Sequence, residues 1–176
     1  RGDLSFSNSP LCEVDALILC QLSYIKFNDI IPADFSPEKI KTLSEYAAIY
    51  EKLSSRDYRK NLGVLINAET KTLLKSCAVS KRFSSLKICG LTDNYDLNKE
   101  EQFCTMTFIC SEEKFIFIAF RGTDDSIIGW KEDFNLAFME KVPAQIDSCK
   151  YLRAVLEKPD FEDYKVFVGG HSKGGN

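Results

Sequence analysis

The sequence predicts an α/β protein: a mixed sheet flanked by helices and preceded by a helical N-terminal extension. Three observations carry that expectation. Apolar residues recur at helical spacing through roughly the first 75 positions. After Lys81 the pattern changes to Phe/Ile/Thr-rich runs parted by turn residues. A last apolar run, Tyr164 to Val168, leads straight into Gly169-Gly170-His171-Ser172-Lys173-Gly174-Gly175-Asn176. Residues 1–80 therefore read as a helical segment packed on a core, and residues 81–176 as the first part of a sheet domain.

Each element follows from local pattern. Val14, Leu17, Ile18, Leu22 and Ile25 fall on one face of a helix between Glu13 and Phe27. Ser36-Pro37-Glu38 reads as an N-cap, a first-turn proline and an acid at the positive helix end, with Ile40, Leu43, Ala47 and Tyr50 continuing toward Leu53. Leu62, Leu65 and Ile66 suggest a third helix from Tyr58 to Thr70. Leu86 to Thr92 alternates as a strand and precedes a turn-rich Asp93 to Asn98. Phe103 to Cys110 and Lys114 to Phe120, separated by Ser111-Glu112-Glu113, form a hairpin signature. The second run is apolar on both faces, as an interior strand should be. Trp130 to Met139 and Ile146 to Leu156 are expected helices, the latter burying Ile146, Cys149, Leu152 and Leu156 before Pro159 ends it.

Composition narrows the function classes. The net charge is −3 and no long Lys/Arg run exists, so the chain lacks the positive footprint that nucleic acid requires. The best uncharged apolar run, Ala16 to Cys20, is far too short to span a bilayer, and no transmembrane segment is expected. Seven scattered cysteines without ligand spacing fit free thiols in a reducing cytoplasm better than a disulfide framework. The sequence opens with Arg1 rather than Met, which leaves room for an upstream leader.

Chemistry concentrates in Gly170-His171-Ser172-Lys173-Gly174, a G-x-S-x-G match at a strand end. A serine hydroxyl is a weak nucleophile unless a sharp strand-to-helix turn holds it where a base can reach it, and small residues on either side relieve the crowding. The pattern alone is only moderately specific. Its context adds weight: Phe120-Arg121-Gly122-Thr123 stands at an earlier strand end, where a second oxyanion donor would be needed beside the Lys173 amide. Thr123 can offer its backbone N–H, and its hydroxyl is a further candidate. Taken alone, Gly122-Thr123 reads as an ordinary turn before a cap at Asp124, Asp125 or Ser126, and Asp124-Asp125 reads as a solvated cap rather than a cation site.

These motifs, with Gly129-Trp130-Lys131-Glu132-Asp133-Phe134-Asn135 and the opening Glu13-Val14-Asp15-Ala16-Leu17 through Gln21-Leu22-Ser23-Tyr24, resemble the α/β-hydrolase class 3 lipases. Within that group the chain most resembles a bacterial family of lipase-like proteins termed Mbeg-like. The resemblance implies an α/β-hydrolase-like fold and a serine esterase or lipase acting on a small-molecule ester or lipid through an acyl-enzyme, with no cofactor and no metal. It assigns Ser172 as nucleophile and Thr123 and Lys173 as oxyanion donors. Gly170 and Gly174 become the small elbow residues, Gly122 part of the oxyanion loop, Trp130 a core anchor behind that loop, and Arg121 the partner of Asp133.

The sequence departs from the pattern in one respect. A hydrolase of this class places its acid and histidine after the serine, but only four residues follow Ser172 and the lone histidine, His171, is its neighbour. His171 should pack beneath the elbow rather than act as base. The expectation is therefore an N-terminal part of a larger protein, cut after the elbow, whose missing C-terminal part supplies acid, base and further strands to cover an apolar edge. A thioesterase or peptidase would use the same elbow, and a non-catalytic relative would keep the fold for binding alone.

Overall fold

The computed structural model describes residues 2–53, 62 and 66–176. Its centre is a five-stranded mixed sheet in the order β1-β2-β3-β4-β5. The strands are β1 (Lys41–Thr42), β2 (Lys87–Asp96), β3 (Glu101–Cys110), β4 (Phe115–Arg121) and β5 (Lys165–Gly170). The first four pair antiparallel, and β5 alone runs parallel to its neighbour β4. Five α-helices accompany them among the described residues: α1 (Glu13–Leu22), α2 (Leu43–Leu53), α3 (Thr70–Val79), α4 (Ile127–Asn135) and α5 (Pro143–Leu156). The sheet does not close on itself.

β4 organises the interior, as its two-sided apolar pattern predicts. Phe115, Phe117 and Ala119 face a core shared with Leu19 and Leu22 of α1, Leu43 and Tyr46 of α2 and Leu74 of α3. Ile116 and Ile118 point the other way, onto Val155 of α5 with Cys89 and Ile109. The alternation follows from the two-residue period of a strand. The β3–β4 hairpin forms in the register Cys104↔Arg121 to Cys110↔Phe115.

Several local expectations need correction. α1 stops at Leu22, because Ser23 caps it by donating its hydroxyl to the Cys20 carbonyl at 2.6 Å. Its buried face is rotated from the predicted one: Val14 and Leu17 are exposed, whereas Asp15, Leu19, Cys20 and Leu22 are buried. Asp15 turns inward because Arg82 meets it there, with Nε and Nη2 donating at 2.7 and 2.5 Å. The same guanidinium collects the carbonyls of Leu4, Ser5, Ser9 and Pro10, which satisfies a buried charge that would otherwise be costly. Burial alone would raise the Asp15 carboxyl, but the Arg82 hydrogen bonds and the Cys12 amide outweigh it and hold it below its ordinary value.

Pro37 opens only a 3₁₀ turn, and α2 begins later. Its real start signal is Thr42-x-x-Glu45: Glu45 accepts from the Thr42 amide at 2.8 Å and donates its own amide to the Thr42 hydroxyl at 3.3 Å. The helix expected from Tyr58 to Thr70 lies largely outside the described residues, and α3 occupies Thr70–Val79, within the expected helical segment but past the bounds of that helix. β2 continues through the expected turn to Asp96 after a bulge between Cys89 and Thr92. Gly90 sits in that bulge at φ +65, a conformation that favours glycine.

The stripe on α5 is core only in part. Leu152 is half-buried against the Ile116, Ile118 and Val155 cluster, but Ile146, Cys149 and Leu156 are exposed, and the fully buried residues of α5 are Ala144 and Val155. The cause is the position of β5 at the sheet edge. Phe167 and Val168 stand open to solvent, Val168 at 55%, and the α5 stripe flanks a groove of about 720 Å³ along that edge. All seven cysteines are free thiols. Among the described residues no helix is long and apolar enough to cross a membrane.

Candidate functional site

Parallel pairing brings the ends of β4 and β5 side by side, so that Phe120 faces Gly170 and the His171 amide donates to the Phe120 carbonyl at 3.3 Å. Beyond that point the two segments separate into Arg121-Gly122-Thr123 and His171-Ser172-Lys173. Both sequence-predicted motifs thus emerge from one end of the sheet. Ser172 and Thr123 line a common pocket of about 380 Å³, together with Gln21, Tyr24, Trp130, Asp133 and His171.

The turn at Ser172 is sharp. Its φ is +57, in the left-handed region, where a Cβ crowds the following carbonyl. The chain then enters a 3₁₀ turn from Ser172 to Gly175. The two flanking glycines are sterically required. A Cβ on Gly170 would collide with the Gly174 carbonyl and lie 2.6 Å from the Gly175 nitrogen. One on Gly174 would strike the Phe120 carbonyl oxygen and lie 2.9 Å from the Arg121 carbonyl carbon.

Lys173 follows the serine as second residue of the turn. Its amide precedes the first i→i+3 bond, which runs from Gly174 to the His171 carbonyl at 3.0 Å, and so belongs to the free donors of a helix start. Its side chain does something the sequence did not announce. The ammonium folds inward and donates to Glu132 Oε2 at 2.6 Å, to the Gln102 carbonyl at 2.7 Å and to Gln102 Oε1 at 3.0 Å. Glu132 is fully buried, and it also accepts from the amides of Gln102 and Ala144 at 3.0 and 2.8 Å. Every oxygen of this buried pair is matched, the condition under which burying two charges is tolerable. The network ties the elbow to β3, α4 and α5 at once.

Across the pocket, the Thr123 hydroxyl is shared between the two oxygens of Asp133 at 2.7 and 2.6 Å. Its single proton is therefore spent, and the backbone N–H remains as the donor Thr123 can offer an oxyanion. Consecutive residues of α4, Glu132 and Asp133, thus hold Lys173 and Thr123 respectively.

Two support roles are overturned. Arg121 does not pair with Asp133; its Nη2 donates to Asp93 Oδ1 at 2.7 Å, because the side chain lies toward β2 while Asp133 is taken by Thr123. Trp130 is not a core anchor. It is 49% exposed at the rim of the pocket, since α4 turns the face carrying Glu132 inward and leaves Ile127, Trp130 and Phe134 outward. Asp124 accepts from the Ser126 amide at 2.9 Å in the turn before α4, and Ser126 caps that helix by accepting from the Gly129 amide at 3.0 Å. Among the described residues no group of three or more His, Cys, Asp or Glu is placed to hold a metal ion.

The His171 ring meets Tyr24, two residues past the end of α1, with Nδ1 at 2.9 Å from its hydroxyl. His171 is exposed rather than packed under the elbow. The Tyr24 hydroxyl also accepts from the Gly122 amide at 3.1 Å. The Tyr24 hydroxyl therefore bridges the Gly122 amide and the imidazole of His171. Burial pushes the Tyr24 hydroxyl up to about 12. Tyr24, Glu132 and Gln102 are the site residues that sequence reasoning missed.

Residues 77–176 match the family model described as Mbeg1-like. No curated protein matches the chain, and no solved structure does.

Proposed function

The chain belongs to the Mbeg1-like family, and from that premise and the strained serine turn we propose a serine hydrolase of the lipase or esterase type, with an α/β-hydrolase-like core. The observation that carries the reading is Ser172 at φ +57 between β5 and a 3₁₀ turn, sharing a pocket with Thr123. Backbone strain in a non-glycine residue persists where the surroundings enforce it, and here Gly170, Gly174 and the Lys173–Glu132 pair do so.

In the proposed reaction a base removes the Ser172 proton as Oγ attacks the ester carbonyl carbon. The carbonyl π electrons move to oxygen, and the resulting oxyanion accepts hydrogen bonds from the Thr123 and Lys173 amides. Collapse expels the alkoxide, which takes up the proton held by the base, and leaves an acyl group on Ser172. Water, deprotonated by the same base, attacks the acyl carbon, and collapse releases the carboxylic acid as the base returns that proton to Ser172 Oγ. His171 is engaged with Tyr24, so the proposal assigns the base and its carboxylate to a further part of the protein. The half-exposed indole of Trp130 in the pocket lining supports an ester with an apolar portion.

The test is labelling of the intact protein by a fluorophosphonate probe. Wild type should label and Ser172→Ala should not. Wild-type protein that never labels, although folded, removes the enzyme reading and leaves a ligand-binding relative.

A further inference from the structure

We infer that Tyr24, contributed by the N-terminal helical segment, is a positioning residue that fixes the oxyanion loop against the nucleophile turn. The inference rests on the reading of Ser172 as nucleophile and Thr123 as an oxyanion donor.

The geometry poses a problem that Tyr24 solves. The β4–β5 ladder ends at Phe120 and Gly170, with the single further bond from His171 to Phe120. Past it, no ladder bond sets the distance between the Thr123 amide and Ser172. The loop also contains Gly122, which lacks the Cβ that would narrow its backbone freedom. A Cβ has no room there: it would collide with the His171 carbonyl oxygen and lie 2.6 Å from the Tyr24 hydroxyl and 2.8 Å from the Ser172 Cβ. Close approach of the two segments therefore demands a residue that leaves the loop loose.

The Tyr24 hydroxyl stands in the fork between the segments and bonds to one group of each. It accepts from the Gly122 amide at 3.1 Å and meets His171 Nδ1 at 2.9 Å. The ring is held edge-on to His171, with centroids 5.5 Å apart, and the residue is 3% exposed. On the far side of the loop Asp133 holds the Thr123 hydroxyl. The two residues that flank the Gly122–Thr123 peptide are thus each tethered, Gly122 through its own N–H to Tyr24 and Thr123 through its hydroxyl to Asp133, which limits displacement of the loop relative to the serine turn. Burial keeps the Tyr24 hydroxyl protonated through the whole neutral range.

Tyr24→Phe keeps the ring and removes the clamp. Losing one oxyanion donor outright costs about 10²- to 10³-fold in kcat. Loosening one should cost about 10- to 100-fold, with KM for a short chromogenic ester moving less than about threefold. Amide hydrogen exchange supplies a second readout that does not depend on activity: Gly122 and Thr123 should exchange at least about tenfold faster in the variant, with the β4 amides unchanged. Wild-type kcat in Tyr24→Phe, or unchanged exchange at Gly122 and Thr123, overturns the inference. A kcat loss that matches a reduced folded fraction, read by active-site titration and melting, assigns Tyr24 a structural role and overturns it equally. If wild type never labels with the fluorophosphonate, the hydrolase reading fails, and with it the catalytic sense of the clamp.

Discussion

Replacing Ser172 by glycine should make the protein more stable while destroying its proposed activity. An L-residue in the left-handed region carries about 1–2 kcal/mol of strain because its Cβ crowds the backbone. Ser172, at φ +57, is in that region. Glycine removes the strain but gives the unfolded chain more freedom, which returns about 0.4–1 kcal/mol. The net expectation for Ser172→Gly is a gain of about 0.5–1 kcal/mol. Ser172→Ala keeps the Cβ and the strain, and since the serine side chain is exposed it should be close to neutral. For a chain of this size about 1 kcal/mol corresponds to roughly 2–4 °C in Tm. The assay is urea or thermal unfolding of wild type and both variants in the same buffer, with circular dichroism as readout. A glycine variant no more stable than the alanine variant would show that the turn stores no strain, and the argument from φ would fail.

Two other outcomes are expected. Gly122→Ala places a methyl group against the His171 carbonyl and the Ser172 Cβ, so the loop must move; overpacking of this kind costs about 1–3 kcal/mol, and an unchanged denaturation midpoint would refute the close approach. Glu101, buried at the start of β3, is pushed up to about 7 by desolvation and by the neighbouring Asp147 carboxyl. The folded state therefore prefers its protonated form, so stability is fullest below the ordinary carboxylate range and is lost as pH rises through about 7. Glu101→Gln should flatten the stability profile between about pH 5 and pH 8, and profiles that run parallel in wild type and variant would contradict it.

Much of this molecule is legible in its sequence, and the lapses have physical causes. The β3–β4 hairpin, the interior character of β4 and the strand leading into Ser172 follow from two-residue periodicity, which reports burial on both faces directly. Ser172 and Thr123 line one pocket, and Gly170 and Gly174 stand where a Cβ has no room. What periodicity cannot show is a polar residue turned inward. Asp15 rotates the face of α1 because its cation, Arg82, comes from 67 positions away. Glu132 likewise looks like a solvated helix residue until Lys173 meets it from 41 positions later. The Thr42-x-x-Glu45 box was a readable signal, outweighed by the apparent proline start at Pro37. The exposed part of the α5 stripe and Trp130 failed for another reason, since an apolar pattern states what could be buried and not what lies nearby to bury it.

Trp130 is the one tryptophan in the chain, and it stands half-exposed on the rim of the pocket that holds Ser172 and Thr123. Within these 176 residues the indole emission therefore comes from a single place. Light absorbed at the red edge of the protein spectrum, where tyrosine no longer contributes, reports the polarity and quenching at the pocket mouth and nothing else. The position that was expected to stiffen the core serves instead as an optical gauge of the site, ready without any label.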